Sequence, residues 1–359
     1  MRVAYCTGFW CTNIGNGFFS MGVEYALKHV LSDKNVTVVS DLQTYTTAYG
    51  KRLYRHKNQL EYISDLNVDY VVLAGPVLSK YFLRMWGDIL RKLRDRGVGY
   101  ILLSTGTMKL DAAASEQIKK FFQECPPYAL SSREEMVYNE FGRYAEHAYN
   151  GICYSFFVPD AYATSPICWD RPYVVYNFDK IREPVLRVHP AGQEPRGPWF
   201  DFEQQRFSVC MPGLISAMAQ KTDRFTDALI YAASVLPAPK RENTLGDYRI
   251  VRTDHRFHPH FRGKIYEQAN SFVADLPHGY LNLYANASLT LSDRVHACAV
   301  TLAFGKSAML FSKTNRSGLL DRVGAVEIYQ KPVALDMDYL AEEKQKQLRW
   351  LCELLQQEN

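Results

Sequence analysis

The stretch Ser292-Asp-Arg-Val-His-Ala-Cys-Ala-Val-Thr-Leu-Ala-Phe-Gly-Lys306 decides how this chain is read. A mostly apolar run, Ala287 to Leu291, leads into the Asp-Arg-Val-His cluster and then into small apolar residues that read as a buried helix. A second strand-like run, Ser307 to Phe311, precedes a basic loop, Lys313-Thr-Asn-Arg316. In a parallel sheet this order puts Arg294 and His296 just past a strand's carboxyl end, where a helix begins. Open α/β sheets bind ligands at that edge, and a helix N-terminus favours anions. A fixed cation and a titratable imidazole two residues apart can then face one ligand.

The same strand–helix alternation runs outward from this segment. Val3 to Cys6 reads as a strand, and the turn Asn13-Ile-Gly-Asn-Gly17 opens a helix to about Leu31. Strands follow at Val36 to Val39, at Val68 to Ala74 and at Gly99 to Ser104, with helical spacing over Tyr81 to Arg96 and Ala112 to Gln123. Tyr128 to Ser131 is another strand, leading into Arg133 and a helix from Glu134. Repeated units of this kind imply a parallel sheet with helices on both faces. Prolines at 159, 166 and 172 break the pattern. The reading is therefore an amino-terminal domain over 1–168 and a carboxy-terminal domain over 169–359, whose first strand is Pro172 to Tyr176. Residues 188–207 are rich in Pro, Gly and charge and read as a loop or small insertion, and the 190–247 region has no assigned role. Tyr248 to Thr253 is a strand ending at Asp254-His255, and Asp336 caps a final helix over 337–357.

These motifs resemble the polysaccharide pyruvyl transferase family. The Arg-x-His-Ala sequence at Arg294 to Ala297, followed by Gly305-Lys306 and a basic loop, is similar to that family's most recognisable element. Asn13-Ile-Gly-Asn16, Ala74-Gly-Pro-Val-Leu78 and Leu130-Ser-Ser-Arg-Glu134 are similar to its other strand-end elements, and nothing between 190 and 247 matches. The resemblance implies two Rossmann-like doubly wound domains facing across a cleft, a glycosyltransferase-B-like arrangement. It also implies transfer of a pyruvyl group from phosphoenolpyruvate to two hydroxyls of a sugar, as a ketal, on a surface polysaccharide or a lipid-linked glycan precursor.

Bulk composition reads as an ordinary soluble globular protein. A chain of 359 residues with 47% hydrophobic and 22% charged residues is long enough for two α/β domains. The net charge of +4 sits on 80 charged residues without a basic stripe, so nucleic acid is not an expected partner. Eight scattered cysteines without a CxxC pair suggest reduced thiols, a cytoplasmic location and no zinc site. No apolar stretch approaches the roughly 18 residues of a membrane span, and association with the inner face of a membrane stays open.

The donor carries a carboxylate and a phosphate, which planar guanidinium groups hold at two points. Its enol carbon must gain a proton and the acceptor hydroxyl must lose one, which suits an imidazole. Arg294 and His296 are accordingly the candidate catalytic pair. Arg133, His255, Asn13, Asn16, Lys306 and Lys313 are candidate substrate-binding residues, because each flanks a strand or opens a helix. No metal and no cofactor is expected, since the chemistry requires neither. Two other readings stay open: a glycosyltransferase of the same architecture using a nucleotide sugar, and a non-catalytic member of the fold that binds glycan or a partner protein.

Overall fold

The structure, a computed structural model, describes residues 1–7, 13–40, 61–108, 110–179, 181–190, 192–211, 241–255, 265 and 268–356. His258 and His260, part of the imidazole-rich sequence after His255, lie outside these residues, as do Gln357 at the expected end of the final helix and most of 190–247.

The amino-terminal half runs β1 (Val3–Thr7), α1 (Ile14–Leu31), β2 (Val36–Ser40), β3 (Tyr70–Ala74), β4 (Leu78–Ser79), α2 (Asp88–Asp95), β5 (Gly99–Thr105), β6 (Thr107–Met108), α3 (Ala112–Glu124), β7 (Ala129–Ser132), α4 (Glu135–Phe141) and β8 (His147–Asn150). Six strands form a parallel sheet in the order β2-β1-β3-β5-β7-β8, with β4 and β6 paired beside it. Strands β1, β3 and β7 are buried at every residue, the condition of a sheet covered on both faces. Alternation then sorts the side chains. Tyr5, Val72 and Leu103 pack toward α1, while Ala4, Val71 and Leu102 pack toward α2 and α3.

The chain crosses through α5 (Val158–Ala161) into β9 (Tyr173–Asn177), β10 (Val185–His189), β11 (Trp199–Phe202), β12 (Gln205–Cys210), β13 (Thr244–Leu245), β14 (Tyr248–Thr253), β15 (Ser271–Phe272), α6 (Gly279–Asn286), β16 (Leu289–Ser292), α7 (Val295–Ala303), β17 (Ser307–Leu310), α8 (Gly318–Asp321) and α9 (Met337–Gln356). The second sheet has the order β13-β14-β9-β16-β17, with β15 beside β14; every pairing but β13–β14 is parallel. The segment read as a loop or small insertion contains a three-stranded antiparallel sheet, β10-β12-β11. It docks through Phe200 and Phe207 onto Tyr176 and Tyr248 of the second sheet. Its strands were hidden because few of their residues are buried and charges interrupt the alternation.

One apolar core joins the halves. Tyr5, Val23 and Leu27 share it with Val295, Ala299 and Leu302 of α7 and with Leu340, Leu351 and Leu355 of α9. α1 comes so close to the Tyr154–Phe157 turn that a Cβ on Gly22 would stand 1.8 Å from the Tyr154 carbonyl oxygen. Asp336 caps α9 by accepting from the Asp338 and Tyr339 amides. The helix then returns to the first half, where Trp350 stacks on Tyr149 at 5.1 Å. Among the described residues, no helix is long and apolar enough to cross a membrane.

Gln347 of α9 fastens this return. Its Oε1 accepts from the Ile152 amide at 2.7 Å and its Nε2 donates to the Ile152 carbonyl at 3.2 Å, both buried. Gln347→Leu orphans two backbone groups, at about 1–3 kcal/mol each. Denaturant unfolding should show a lower midpoint, whereas an unchanged midpoint would mean the clasp is dispensable.

Candidate functional site

The parallel topology decides which strand ends meet. β5 and β7 bring Thr105 and Ser132 to the carboxyl edge of the first sheet, and β9, β14 and β16 bring Asn177, Thr253 and Ser292 to that of the second. Arg133 follows β7, His255 follows β14, and Arg294 and His296 follow β16, so all four leave the sheets on the side where the halves face each other. Helix α1 closes the gap. Its first amide, on Ile14, donates to the His255 carbonyl at 2.7 Å, a backbone bond between the halves. A Cβ on Gly15 would sit 3.1 Å from His296 Cβ and 3.4 Å from His255 Nδ1. The amino ends of α1 and α7 therefore abut, and both carry partial positive charge.

Two successive aromatics on α1 hold the cluster. The Phe18 ring lies edge-on to His255 at 5.5 Å, and Phe19 lies 5.6 Å from the His296 ring and 5.2 Å from the Arg133 guanidinium. Asn13 caps α1, its Oδ1 accepting from the Gly15 amide at 3.1 Å. Asn16 is buried, with Oδ1 lacking a hydrogen-bond partner among the described residues.

The charges are arranged unevenly. Arg294 rests its Nε against the Asp179 carboxylate, with Asp293 at 3.9 Å, and its Nη2 has no hydrogen-bond partner among the described residues. Burial works against its charge, but Asp179 and Asp293 prevail and hold its pKa above the ordinary arginine value. Arg133 is fully buried, its Nε 3.6 Å from Glu134 and its Nη2 again unpartnered among the described residues. Burial raises the Glu134 carboxyl despite the attraction of Arg133 and Arg316. Arg316 is pushed down to about 10, by burial first and then by repulsion from Arg133. Buried donors without acceptors are rare in folded proteins. An anion would supply what the two guanidinium groups lack.

His255 donates to or accepts from Tyr284 Oη at 2.5 Å through Nε2, and burial takes its pKa to about 3. His296 is also lowered, by burial and then by Arg133, Arg316, His255 and Arg294. Both imidazoles are therefore neutral near pH 7, and His296 is a base in a cationic field.

The structure thus brings Asn13, Asn16, Arg133, His255, Arg294 and His296 to one place. Lys306 does not belong there. It precedes β17, and because β17 runs parallel to β16 it stands at the amino edge of the sheet, the length of a four-residue strand away from Arg294. Lys313 lies past the carboxyl end of β17 but is exposed, its ammonium 5.7 Å from the Tyr329 ring. Arg316, three residues on, is the cation of that loop that reaches the cluster. Asp179 and Cys153 were absent from the candidate site residues, and Glu134 entered only as part of the Leu130–Glu134 motif. Asp179 follows a strand end by two residues, a detectable signal; Cys153 follows β8, which the sequence pattern did not reveal. Among the described residues, no group of three or more His, Cys, Asp or Glu is arranged to hold a metal ion.

The architecture has a match among solved structures. The Staphylococcus aureus MnaA–UDP co-structure covers 99% of this chain and 91% of its own, with 11% identity and a TM-score of 0.51. The fold is glycosyltransferase-B-like. UDP-GlcNAc 2-epimerases from Neisseria meningitidis (12% identity, 99% of this chain and 93% of that one, TM-score 0.45) and Methanocaldococcus jannaschii (11%, 97% and 93%, 0.46) are also similar. At such identities the likeness concerns the fold alone. No family model matches the chain, and no curated protein sequence does.

The neutral histidines set a pH dependence. The unfolded chain takes up their protons near pH 6.5, whereas folded His255 resists until about pH 3. The stability that His255 contributes by staying neutral is thus fully present above pH 6.5 and is lost as pH falls, by roughly 1.4 kcal/mol per pH unit. His296, depressed in the same direction, adds to this loss. Urea midpoints taken from neutral to mildly acidic pH should fall less steeply in His255→Gln than in the wild type, and equal slopes would contradict the assignment.

Proposed function

We propose that the chain is a pyruvyl transferase that moves the pyruvyl group of phosphoenolpyruvate onto a sugar of a surface polysaccharide or lipid-linked glycan precursor, forming a ketal. The observation that carries this reading is the group of Arg133, Arg294 and Arg316, gathered from both halves around neutral His296, with buried nitrogens of Arg133 and Arg294 lacking acceptors among the described residues. A small donor with two anionic groups fits such a set better than a neutral ligand does. Arg294, braced by Asp179, grips one anionic group through its Nη edge, and Arg133 with Arg316 grips the other. His296 takes the proton of the attacking hydroxyl as its oxygen bonds to C2 of the donor, and the imidazolium gives a proton to C3, which becomes a methyl group. The second hydroxyl then replaces phosphate at C2 and closes the ketal. An arriving anion offsets the cationic field that depresses the imidazole, so the base strengthens as the donor binds.

A second reading rests on the fold likeness to a UDP-bound structure: a nucleotide-sugar enzyme whose diphosphate occupies the same cations. Incubation with phosphoenolpyruvate and a panel of glycosides distinguishes the two. Phosphate release with an acceptor-dependent gain in mass is expected. Donor binding by calorimetry should persist in chelator, and full dependence on magnesium or manganese would favour the nucleotide-sugar enzyme.

Arg294 and His296 should fail differently. Arg294→Lys replaces a planar two-point contact by a point charge and should weaken donor binding by ~1.5–3 kcal/mol. His296→Gln should leave donor binding close to wild type and lower turnover by ~10²–10⁴. Near-normal turnover in folded His296→Gln would overturn its role as the base.

A further inference from the structure

Cys153 lies within the cationic cluster, immediately before the Tyr154–Phe157 turn that packs on α1. Its Sγ has four polar neighbours. Ser155 Oγ donates to it at 3.2 Å, Ser104 Oγ and Arg133 Nη1 each donate at 3.7 Å, and His296 Nε2 stands at 3.8 Å. Cys153, Ser155 and Arg133 are 0% exposed, Ser104 is 1% and His296 is 7%. With two hydroxyls and a guanidinium directed at sulfur, the imidazole nitrogen is the neighbour able to take the thiol's proton. The same three donors would stabilise the thiolate left behind.

Cys153 also belongs to the apolar core that joins the halves, and two further observations concern the groups that reach its thiol. Ser104 reaches it from a φ of +51°, uncommon for a residue with a Cβ, where the pairing of β5 with β7 shifts register between Leu102 and Thr105. Arg133, which touches Sγ through Nη1, is fully buried, and its Nη2 has no hydrogen-bond partner among the described residues. The guanidinium beside the thiol thus points to an anionic ligand at this place.

We propose that Cys153 is the proton source of His296: when a phosphate- or carboxylate-bearing ligand enters among Arg133, Arg294 and Arg316, the thiol proton passes from Sγ to Nε2. The S–H bond breaks with its electron pair staying on sulfur, the N–H bond forms, and a thiolate remains beside an imidazolium. The proposal rests on the anionic-donor reading of the same site.

The surroundings give the direction of transfer. His296 faces Arg133 from the β7–α4 connection, Arg316 from the loop after β17, His255 from the end of β14, Arg294 from its own segment and the Phe19 ring from α1. In the unliganded protein burial, and after it the cations, keep the imidazole unprotonated. An anion compensates them, and the proton comes from a neighbour in contact rather than from water outside a buried site. The imidazolium can give one ring proton to C3 of the donor; neutral His296 then takes the proton of the acceptor hydroxyl and returns it through Nε2 to the thiolate, so the thiol is restored at each turnover. Cys153 acts through His296 and is a positioning residue.

The test is a difference spectrum in the thiolate ultraviolet band when inorganic phosphate, and separately phosphoenolpyruvate, is added to the full chain. The wild type should gain the absorbance of one thiolate at saturation. Cys153→Ser, close in volume to the native residue, and Cys153→Ala should bind phosphate by calorimetry close to wild type and gain none. With a competent acceptor both variants should lose turnover by ~10²-fold, the lower end for a lost acid–base group, with the donor KM little changed. Phosphate binding without the thiolate signal in the wild type overturns the role of Cys153 and leaves the anion site standing. Absence of phosphate and phosphoenolpyruvate binding overturns the anion site and the proposal together.

Discussion

The site depends on the meeting of two helix amino ends, α1 from one half and α7 from the other, at Gly15 and His296. Each end carries partial positive charge, and Arg133, Arg294 and Arg316 add full charges around them. Such a concentration repels itself and loses hydration on burial, so something must hold it. Asp179, Asp293 and Glu134 offset part of the charge, and Phe19 offers the Arg133 guanidinium the face of a ring. Among the described residues, buried guanidinium nitrogens of Arg133 and Arg294 remain without hydrogen-bond acceptors.

The scaffold makes the meeting rigid. Because α1 packs against the Tyr154–Phe157 turn and shares one core with α7 and α9, the two sheets cannot drift apart without exposing that core. The absent side chains of Gly15 and Gly22 allow the approach, one at the histidines and one at the Tyr154 carbonyl. The Ile14 amide bond to the His255 carbonyl ties the first turn of α1 to the end of β14. Burial that depresses the histidines and burial that unites the halves are therefore the same event.

The strand–helix alternation carries local information, because strands covered on both faces must be apolar throughout and ligand residues gather at their carboxyl ends. This is why Arg133, His255, Arg294 and His296 are legible as candidates in the sequence. The β10–β12 sheet was not, since an antiparallel sheet with one open face tolerates Arg187, Asp201 and Arg206 within its strands. Lys306 and Lys313 looked equivalent to Arg316 in the linear order. They parted only when the direction of β17 put Lys306 at the far edge and the course of the loop turned Arg316 inward.

By itself the sequence determined the class of the fold, two parallel sheets, and the edge at which the candidate residues gather, since periodicity and the Arg-x-His segment are local properties of the chain. Tertiary structure alone decided that Asp179 braces Arg294, that Phe18 and Phe19 divide the two histidines between them, and that Cys153 touches His296 across 143 residues of sequence. Those contacts arise from the docking of one half on the other. The strength of a charge or the basicity of an imidazole is set by neighbours that no local pattern names.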